Sequence, residues 1–132
     1  MKHVLVIEDD VQNALLFRKV LEKRAGCRVS VTESPEQMMQ LVDADVDLVV
    51  MDVSLANSTW QGEPVNGVEL CRLLKSKPHT SHIPVILATA HAMRGDAESL
   101  MEESGADDYV AKPILDHAEF VAQVKRLMEK AA

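Results

Sequence analysis

The sequence has few aromatic residues, few cysteines and no long hydrophobic run. Aromatic residues make up 3% of the 132 residues, as two Phe, one Tyr and one Trp, so we expect an aliphatic core. Cys27 and Cys71 are too few and too isolated for a zinc site or a disulfide framework, and we expect reduced thiols in a cytoplasmic protein. No apolar run approaches the ~18 residues of a membrane span, and the early first strand leaves no room for a signal peptide.

Positive charge is also in deficit. The chain carries 14 Lys and Arg against 21 Asp and Glu, for a net charge of -7. A surface for nucleic acid or for an anionic membrane needs a basic footprint, so we expect neither as a partner. Hydrophobic residues at 47% and charged residues at 27% are typical of a globular protein. The length fits one domain, expected to span residues 1–132.

The stretch from Asp47 to Asp52 is the most informative. Four apolar residues in a row, Leu48 to Met51, stand between acids. A short apolar run with β-branched members predicts a strand that is buried on both faces inside a parallel sheet. Asp52 then lies at the carboxyl end of this strand, where open α/β sheets form their ligand crevice.

Strand patterns alternate with helix patterns along the whole chain. The predicted strands are Lys2–Ile7, Arg28–Thr32, Asp47–Met51, Ile83–Ala88 and Asp108–Ala111. The predicted helices are Val11–Ala25, Pro35–Ala44, Gly67–Lys77, Arg94–Ser104 and Asp116–Lys130. Strict alternation with short connections predicts right-handed crossovers and a parallel sheet between two helical layers. Residues 54–66 carry turn residues and no regular pattern.

Two helix starts have recognisable caps. Ser34 is followed by Pro35 and then by Gln37, which indicates an N-cap with a capping box. Asp10 follows the first strand and is expected to cap the first helix.

Polar residues follow the first, third, fourth and fifth strands, whose ends open into one crevice. They are Glu8, Asp9 and Asp10, then Asp52, Thr89 and Lys112. Crowded carboxylates repel one another, which raises their pKa. A hard divalent cation relieves this repulsion, and a ligand set made only of oxygen atoms suits Mg²⁺. An ammonium and a hydroxyl beside the same carboxylate would neutralise phosphoryl oxygens. The pattern predicts that Asp52 is a nucleophile that forms an aspartyl phosphate.

Four motifs in this order resemble the receiver domains of two-component response regulators. They are Val4–Asp10, Leu48–Ser54, Ala88–Ala90 and Gly105–Pro113. The resemblance covers essentially the whole chain. It implies a flavodoxin-like (βα)5 sandwich with sheet order 2-1-3-4-5, in a single receiver domain with no output domain.

The resemblance also implies the metal site. Asp52 would accept a phosphoryl group from a histidine kinase or a histidine phosphotransfer protein. Asp9 would bind Mg²⁺ directly and Glu8 through water, while Ser54 would offer its backbone carbonyl to the metal.

The remaining implied roles concern the switch. Thr89 resembles the hydroxyl that moves onto the phosphoryl group, and Lys112 resembles the lysine that pairs with it. Tyr109 resembles the aromatic residue that swings inward, and Lys112-Pro113 resembles a cis peptide of the family. The fourth helix, fifth strand and fifth helix would then present the surface that binds a downstream protein.

The sequence departs from the family pattern in two loops. The segment Asn57–Val65 is enlarged, with Trp60 as its anchor, and it could carry partner specificity. The loop His91–Gly95 is one residue longer than is common, which leaves the start of the fourth helix open. Residues in the places of Ser54 and His91 tune the lifetime of the phosphoaspartate in the family.

Three functions therefore compete. The first is a phosphorylatable switch that is not itself an enzyme. The second is a Mg²⁺-dependent phosphohydrolase of the haloacid dehalogenase type, which wants a carboxylate two residues past the nucleophile, where this chain has Ser54. The third is an interaction module with a dead site, which requires the enlarged loop to block access.

Overall fold

A five-stranded parallel sheet carries helices on both of its faces. The computed structural model describes residues 1–55, 58–90 and 96–131. The strands are β1 (His3–Ile7), β2 (Arg28–Thr32), β3 (Leu48–Asp52), β4 (Thr59–Trp60), β5 (Glu63–Pro64), β6 (Val85–Thr89) and β7 (Asp108–Ala111). The helices are α1 (Val11–Arg24), α2 (Pro35–Ala44), α3 (Gly67–Ser76), α4 (Asp96–Ser104) and α5 (His117–Ala131). Among the described residues, no helix combines the length and the apolar character needed to cross a membrane.

The strand order of the sheet is β2-β1-β3-β6-β7, and every neighbouring pair is parallel. The strands β4 and β5 form a separate antiparallel hairpin. When this hairpin is set aside, the order is 2-1-3-4-5, so the predicted flavodoxin-like fold is confirmed. All residues of β1, β3 and β6 are buried, as expected of central strands covered on both faces.

Successive side chains of each strand point to opposite faces of the sheet, and they pack into two apolar clusters, one on each face. On the first face, β1 packs against α1 and α5, where the rings of Phe17 and Phe120 lie 5.6 Å apart. On the second face, β1 packs with Met38 of α2 and Leu70 of α3. The two clusters fix the central strands, and the carboxyl ends of those strands carry the candidate site.

The helix caps differ in one respect from the prediction. Asp10 caps α1 as expected, since its Oδ1 accepts hydrogen bonds from Gln12 N and Asn13 N. Ser34 caps α2 by accepting from Gln37 N. The predicted capping box at this helix is wrong, because the Gln37 side chain accepts a hydrogen bond from Thr32 instead.

A complete capping box occurs at α3, where the sequence prediction had none. Asn66 Oδ1 accepts from Glu69 N at 2.9 Å, and Glu69 Oε1 accepts from Asn66 N at 3.1 Å. This reciprocal pair fixes the start of the helix directly after the enlarged segment.

The enlarged segment itself is more regular than predicted. Its turn has a positive φ at both Gln61 (53°) and Gly62 (85°), the backbone hand that matches a two-residue hairpin. The start of this segment at Asn57, the loop His91–Gly95 and the predicted helix start at Arg94 lie outside the described residues. Of the two loops that depart from the family pattern, the structure therefore describes the hairpin of the first.

Candidate functional site

Three carboxylates meet at the carboxyl ends of β1 and β3. The register pairs Ile7 with Met51, so the next residues, Glu8 and Asp52, lie side by side at the carboxyl ends of the two strands. One carboxylate oxygen from each of Glu8, Asp9 and Asp52 lies within 4.8 Å of the others. Glu8 and Asp52 are buried and Asp9 is half-buried. The three acids proposed for the metal from the sequence are therefore close together.

Lys112 reaches the same cluster from the end of β7. Its Nζ donates to Asp52 Oδ1 at 2.8 Å and to Glu8 Oε1 at 3.0 Å. Its side chain is only 11% exposed. The backbone of Lys112 is also held, because its N–H donates to the carbonyl of Thr89, and the peptide between Lys112 and Pro113 is cis.

The crowding changes the pKa of each group. Burial, reinforced by a hydrogen bond to Asp52, raises the pKa of Glu8 from 4.5 to about 7. Burial alone would raise the pKa of Asp52, but the hydrogen bonds from Glu8 and Lys112 outweigh it and the pKa is lowered. Burial opposes the charge of Lys112, yet its bonds to Asp52 and Glu8 raise its pKa. At neutral pH the site therefore holds an ionised Asp52 beside an ammonium group.

The two oxygens of Asp52 differ sharply. Oδ1 accepts from Lys112 and from the backbone N–H of Ser54 at 3.1 Å. Oδ2 is buried and finds no hydrogen-bond partner in the described part of the chain. An orphaned buried carboxylate oxygen is costly. A hard cation ligated by oxygen atoms would satisfy it, so the donor set fits Mg²⁺.

Thr89 and Tyr109 lie on the adjacent strands. Asp52 is in register with Ala88, and Thr89 is the next residue of β6. Tyr109 pairs with Leu87, and side chains alternate along a strand. Thr89 and Tyr109 consequently lie on one face of the sheet, on the side of the second apolar cluster. Thr89 is buried, whereas Tyr109 is 36% exposed.

Gly67 contributes to the site but was not identified from the sequence. A Cβ at this position would lie 1.9 Å from the carbonyl oxygen of Asp52. The first turn of α3 thus packs directly on the backbone of Asp52, and only glycine fits there. The available signal was a glycine at a predicted helix start, where an N-cap residue is more usual.

This geometry argues against two of the competing functions, the phosphohydrolase and the interaction module with a dead site. A phosphohydrolase would need an acid at position 54, and Ser54 supplies only a backbone N–H to Asp52. A blocked site is also disfavoured, because a cavity of about 590 Å³ reaches Glu8 and Asp9. No described residue of the enlarged segment lines this cavity, so the described part of the segment does not close it over Glu8 and Asp9.

Comparison with known proteins agrees with the motifs. The family model for the response regulator receiver domain matches residues 4–125. The chain is 35% identical to the polar-differentiation response regulator DivK of Brucella ovis, over 86% of this chain and 85% of that protein. It is 32% identical to the phosphate regulon transcriptional regulatory protein PhoB of Rhizobium meliloti, over 97% of this chain and 52% of that protein.

A solved structure of similar fold carries a metal. It is the receiver domain of a sensor histidine kinase from Pseudomonas aeruginosa, with a magnesium ion coordinated in its active-site cleft. The TM-score is 0.80 at 25% identity, covering 97% of this chain and 98% of that one. Since the family model spans almost the entire sequence and the fold is shared, the chain belongs to the receiver domains of two-component response regulators.

Proposed function

We propose that Asp52 accepts a phosphoryl group from a phosphohistidine of a sensor kinase or phosphotransfer protein, and that the modified chain binds a partner differently. The observation that carries this proposal is the state of Asp52. Its lowered pKa keeps it ionised, and one of its oxygens has no hydrogen-bond partner among the described residues. An ionised carboxylate is a competent nucleophile toward phosphorus, and its unpartnered oxygen can ligate the cation proposed for the site.

The transfer balances without any further reactant. A carboxylate oxygen of Asp52 attacks phosphorus and forms the O–P bond of an acyl phosphate, while the P–N bond breaks. The donor ring carries a proton on its other nitrogen, so it takes the electron pair of the broken bond and leaves as neutral imidazole. Lys112 holds its ammonium 2.8 Å from Oδ1 of Asp52, which suits a group that neutralises charge on the transferred phosphoryl oxygens. The Thr89 hydroxyl is proposed as the second donor to that group.

The acids define where Mg²⁺ would be held. We infer that Asp9 and Asp52 would bind it directly, with Glu8 acting through water and Ser54 through its backbone carbonyl. When bound, Mg²⁺ neutralises negative charge on the carboxylates and on the phosphoryl oxygens. The fit of the oxygen donors and the proximity of the three acids support this assignment.

We propose that Thr89 and Tyr109 act together as a switch. A shift of Thr89 toward a phosphorylated Asp52 would vacate space on the sheet face that it shares with Tyr109. The Tyr109 ring, which is partly exposed, would then turn inward and alter the surface of α4, β7 and α5. Phosphorylation need favour this arrangement by only a few kcal/mol to shift the population.

Acetyl phosphate with Mg²⁺ tests the proposal by intact mass. The expected result is the addition of one phosphoryl group, about 80 Da, to the unmodified chain and to Asp10→Asn, and no addition to Asp52→Asn. Asp10 is the matched control, because it follows Asp9 but caps α1. Labelling of Asp52→Asn at the rate of the unmodified chain would overturn the proposal.

A further inference from the structure

The enlarged segment between β3 and α3 is closed at its base. The N–H of Gly67 donates to the carbonyl of Val53 at 3.0 Å. Further out, the N–H of Val65 donates to the carbonyl of Ser58 at 3.1 Å. The chain therefore leaves the sheet and returns to it through one narrow neck. The β4–β5 hairpin beyond the neck belongs to a sheet of its own.

The hairpin lies beside the acidic cluster. Ser58, the residue before β4, connects the segment to the β2–α2 loop, because its Oγ donates to the carbonyl of Glu33 at 3.1 Å. Between the hairpin and the β2–α2 loop is a cavity of about 270 Å³, whose lining includes Asp9, Glu33 and Thr59. Asp9 is within 4.8 Å of Asp52. One wall of the approach to Asp9 is thus made by Ser58 and Thr59, at the start of the hairpin.

The opposite wall is made by α1. The larger cavity also includes Asp9 and Glu33 in its lining, together with Val11 and Leu15. These two apolar side chains are 71% and 60% exposed. The two cavities share Asp9 and Glu33 in their linings, so the approach to Asp9 is flanked by α1 on one side and by the hairpin on the other.

The hairpin is exposed where a partner would meet it. Residues 61–64 and Thr59 are exposed, and Trp60 is half-buried. A small acyl phosphate fits a cavity of about 270 Å³, so we expect its entry not to depend on these side chains. A folded protein that brings a phosphohistidine to Asp52 cannot avoid touching these residues, because the walls stand on both sides of its path.

We propose that the β4–β5 hairpin is a recognition element for the phosphohistidine protein that donates to Asp52. Thr59 and Trp60 form the hairpin side of the contact and set which donors transfer. This inference rests on the proposed function, since it names the selectivity of the same site toward protein donors. The neck at Val53 and Gly67 lets the hairpin vary without moving Asp52.

The test compares a small donor with protein donors on hairpin variants. One variant replaces residues 59–64 with two glycines, and a second keeps the length but replaces the same residues with alternating Gly and Ser. Trp60→Ala and Thr59→Ala probe the contact with the hairpin intact. Glu22→Ala is the control, as it is exposed on α1 and is absent from the linings of the two cavities. The donors are acetyl phosphate and a panel of autophosphorylated histidine kinases and histidine phosphotransfer domains.

We expect acetyl phosphate to label every variant within about twofold of the unmodified rate, because the site is intact. For at least one protein donor, the rate should change about tenfold or more in the two replacement variants and about threefold or more in Trp60→Ala, with Glu22→Ala unchanged.

Three outcomes count against the inference. If the hairpin variants keep protein-donor rates within twofold of the unmodified chain across the panel, and acetyl phosphate labels them normally, this inference is overturned and the proposed function stands. A parallel loss of labelling by acetyl phosphate in the hairpin variants also overturns it, since the hairpin would then support the site itself. If acetyl phosphate fails to label the unmodified chain, the proposed function fails first and this inference fails with it.

Discussion

The ammonium group of Lys112 lies 2.8 Å from Oδ1 of Asp52, although the two residues are 60 positions apart in the chain. The same ammonium is 3.0 Å from Glu8. One cation therefore compensates two buried acids, and the properties of the site depend on this arrangement.

Removal of Lys112 should be costly in the metal-free protein. We expect Lys112→Met to lower the free energy of unfolding by about 3–5 kcal/mol at pH 8, because two buried carboxylates lose their cation. The loss should shrink at pH 5, where the acids can take up protons. Urea unfolding measures both values. The control is Lys2→Met, whose side chain is 53% exposed and 4.0 Å from Asp47, and it should cost less than about 1 kcal/mol. Equal losses at the two pH values would contradict the prediction.

Glu8 should make the metal-free fold less stable as pH rises. Its pKa is raised from 4.5 to about 7 in the folded state, so the native state binds this proton more tightly than the unfolded state. The resulting stabilisation is fully present below pH 4.5 and is lost as pH rises through 7.

We therefore expect the free energy of unfolding of Glu8→Gln, measured relative to the unmodified protein, to increase by about 1–3 kcal/mol as the pH rises from 5 to 8. Unfolding in urea with a chelator present measures this difference. Glu129→Gln, an exposed residue of α5, should show no such trend. A Glu8→Gln protein whose relative stability falls with pH would refute the assignment.

Mg²⁺ should stabilise the fold through Asp9. At roughly ten to thirty times its dissociation constant, the ion is expected to add about 1–2 kcal/mol, seen as a rise in melting temperature. Asp9→Asn should lose this response. Asp10→Asn should keep it, because asparagine caps a helix as well as aspartate does. A response retained by Asp9→Asn and absent from Asp10→Asn would place the ion elsewhere.

Gly67 should be more sensitive to a methyl group than a glycine in a turn. We expect Gly67→Ala to cost about 2–3 kcal/mol and to slow labelling by acetyl phosphate about tenfold or more, because the Cβ displaces Asp52. Gly26 has a positive φ of 66° and open space around it, so Gly26→Ala should cost only about 1 kcal/mol and leave labelling intact. Equal behaviour of the two variants would show that the Asp52 contact is unimportant.

Much of this organisation could be predicted from the sequence. The apolar run before Asp52 predicts a central strand, and parallel strands bring their carboxyl ends to one edge, so the meeting of Glu8, Asp9, Asp52 and Lys112 follows from topology. Some local hydrogen bonding was also predictable, since Asp10 caps α1 as expected.

The errors occurred where tertiary contacts decide. Gln37 has the position and chemistry of a capping-box residue, but Thr32 from the neighbouring strand takes its side chain. The hairpin has strands of two residues each, too short to show periodicity. Its turn also places Gln61 at a positive φ, which this residue type does not predict. The contact between Gly67 and Asp52 depends on how closely α3 approaches β3, which no local pattern encodes.

Borohydride trapping tests the central claim most directly. An aspartyl phosphate is reduced by sodium borohydride to homoserine, and peptide mass mapping then identifies the modified position. After incubation with acetyl phosphate and Mg²⁺, we predict homoserine at position 52 and at no other acid. Homoserine at position 9, the corresponding 5-hydroxynorvaline at Glu8, or no reduced acid at all despite normal folding would contradict the account.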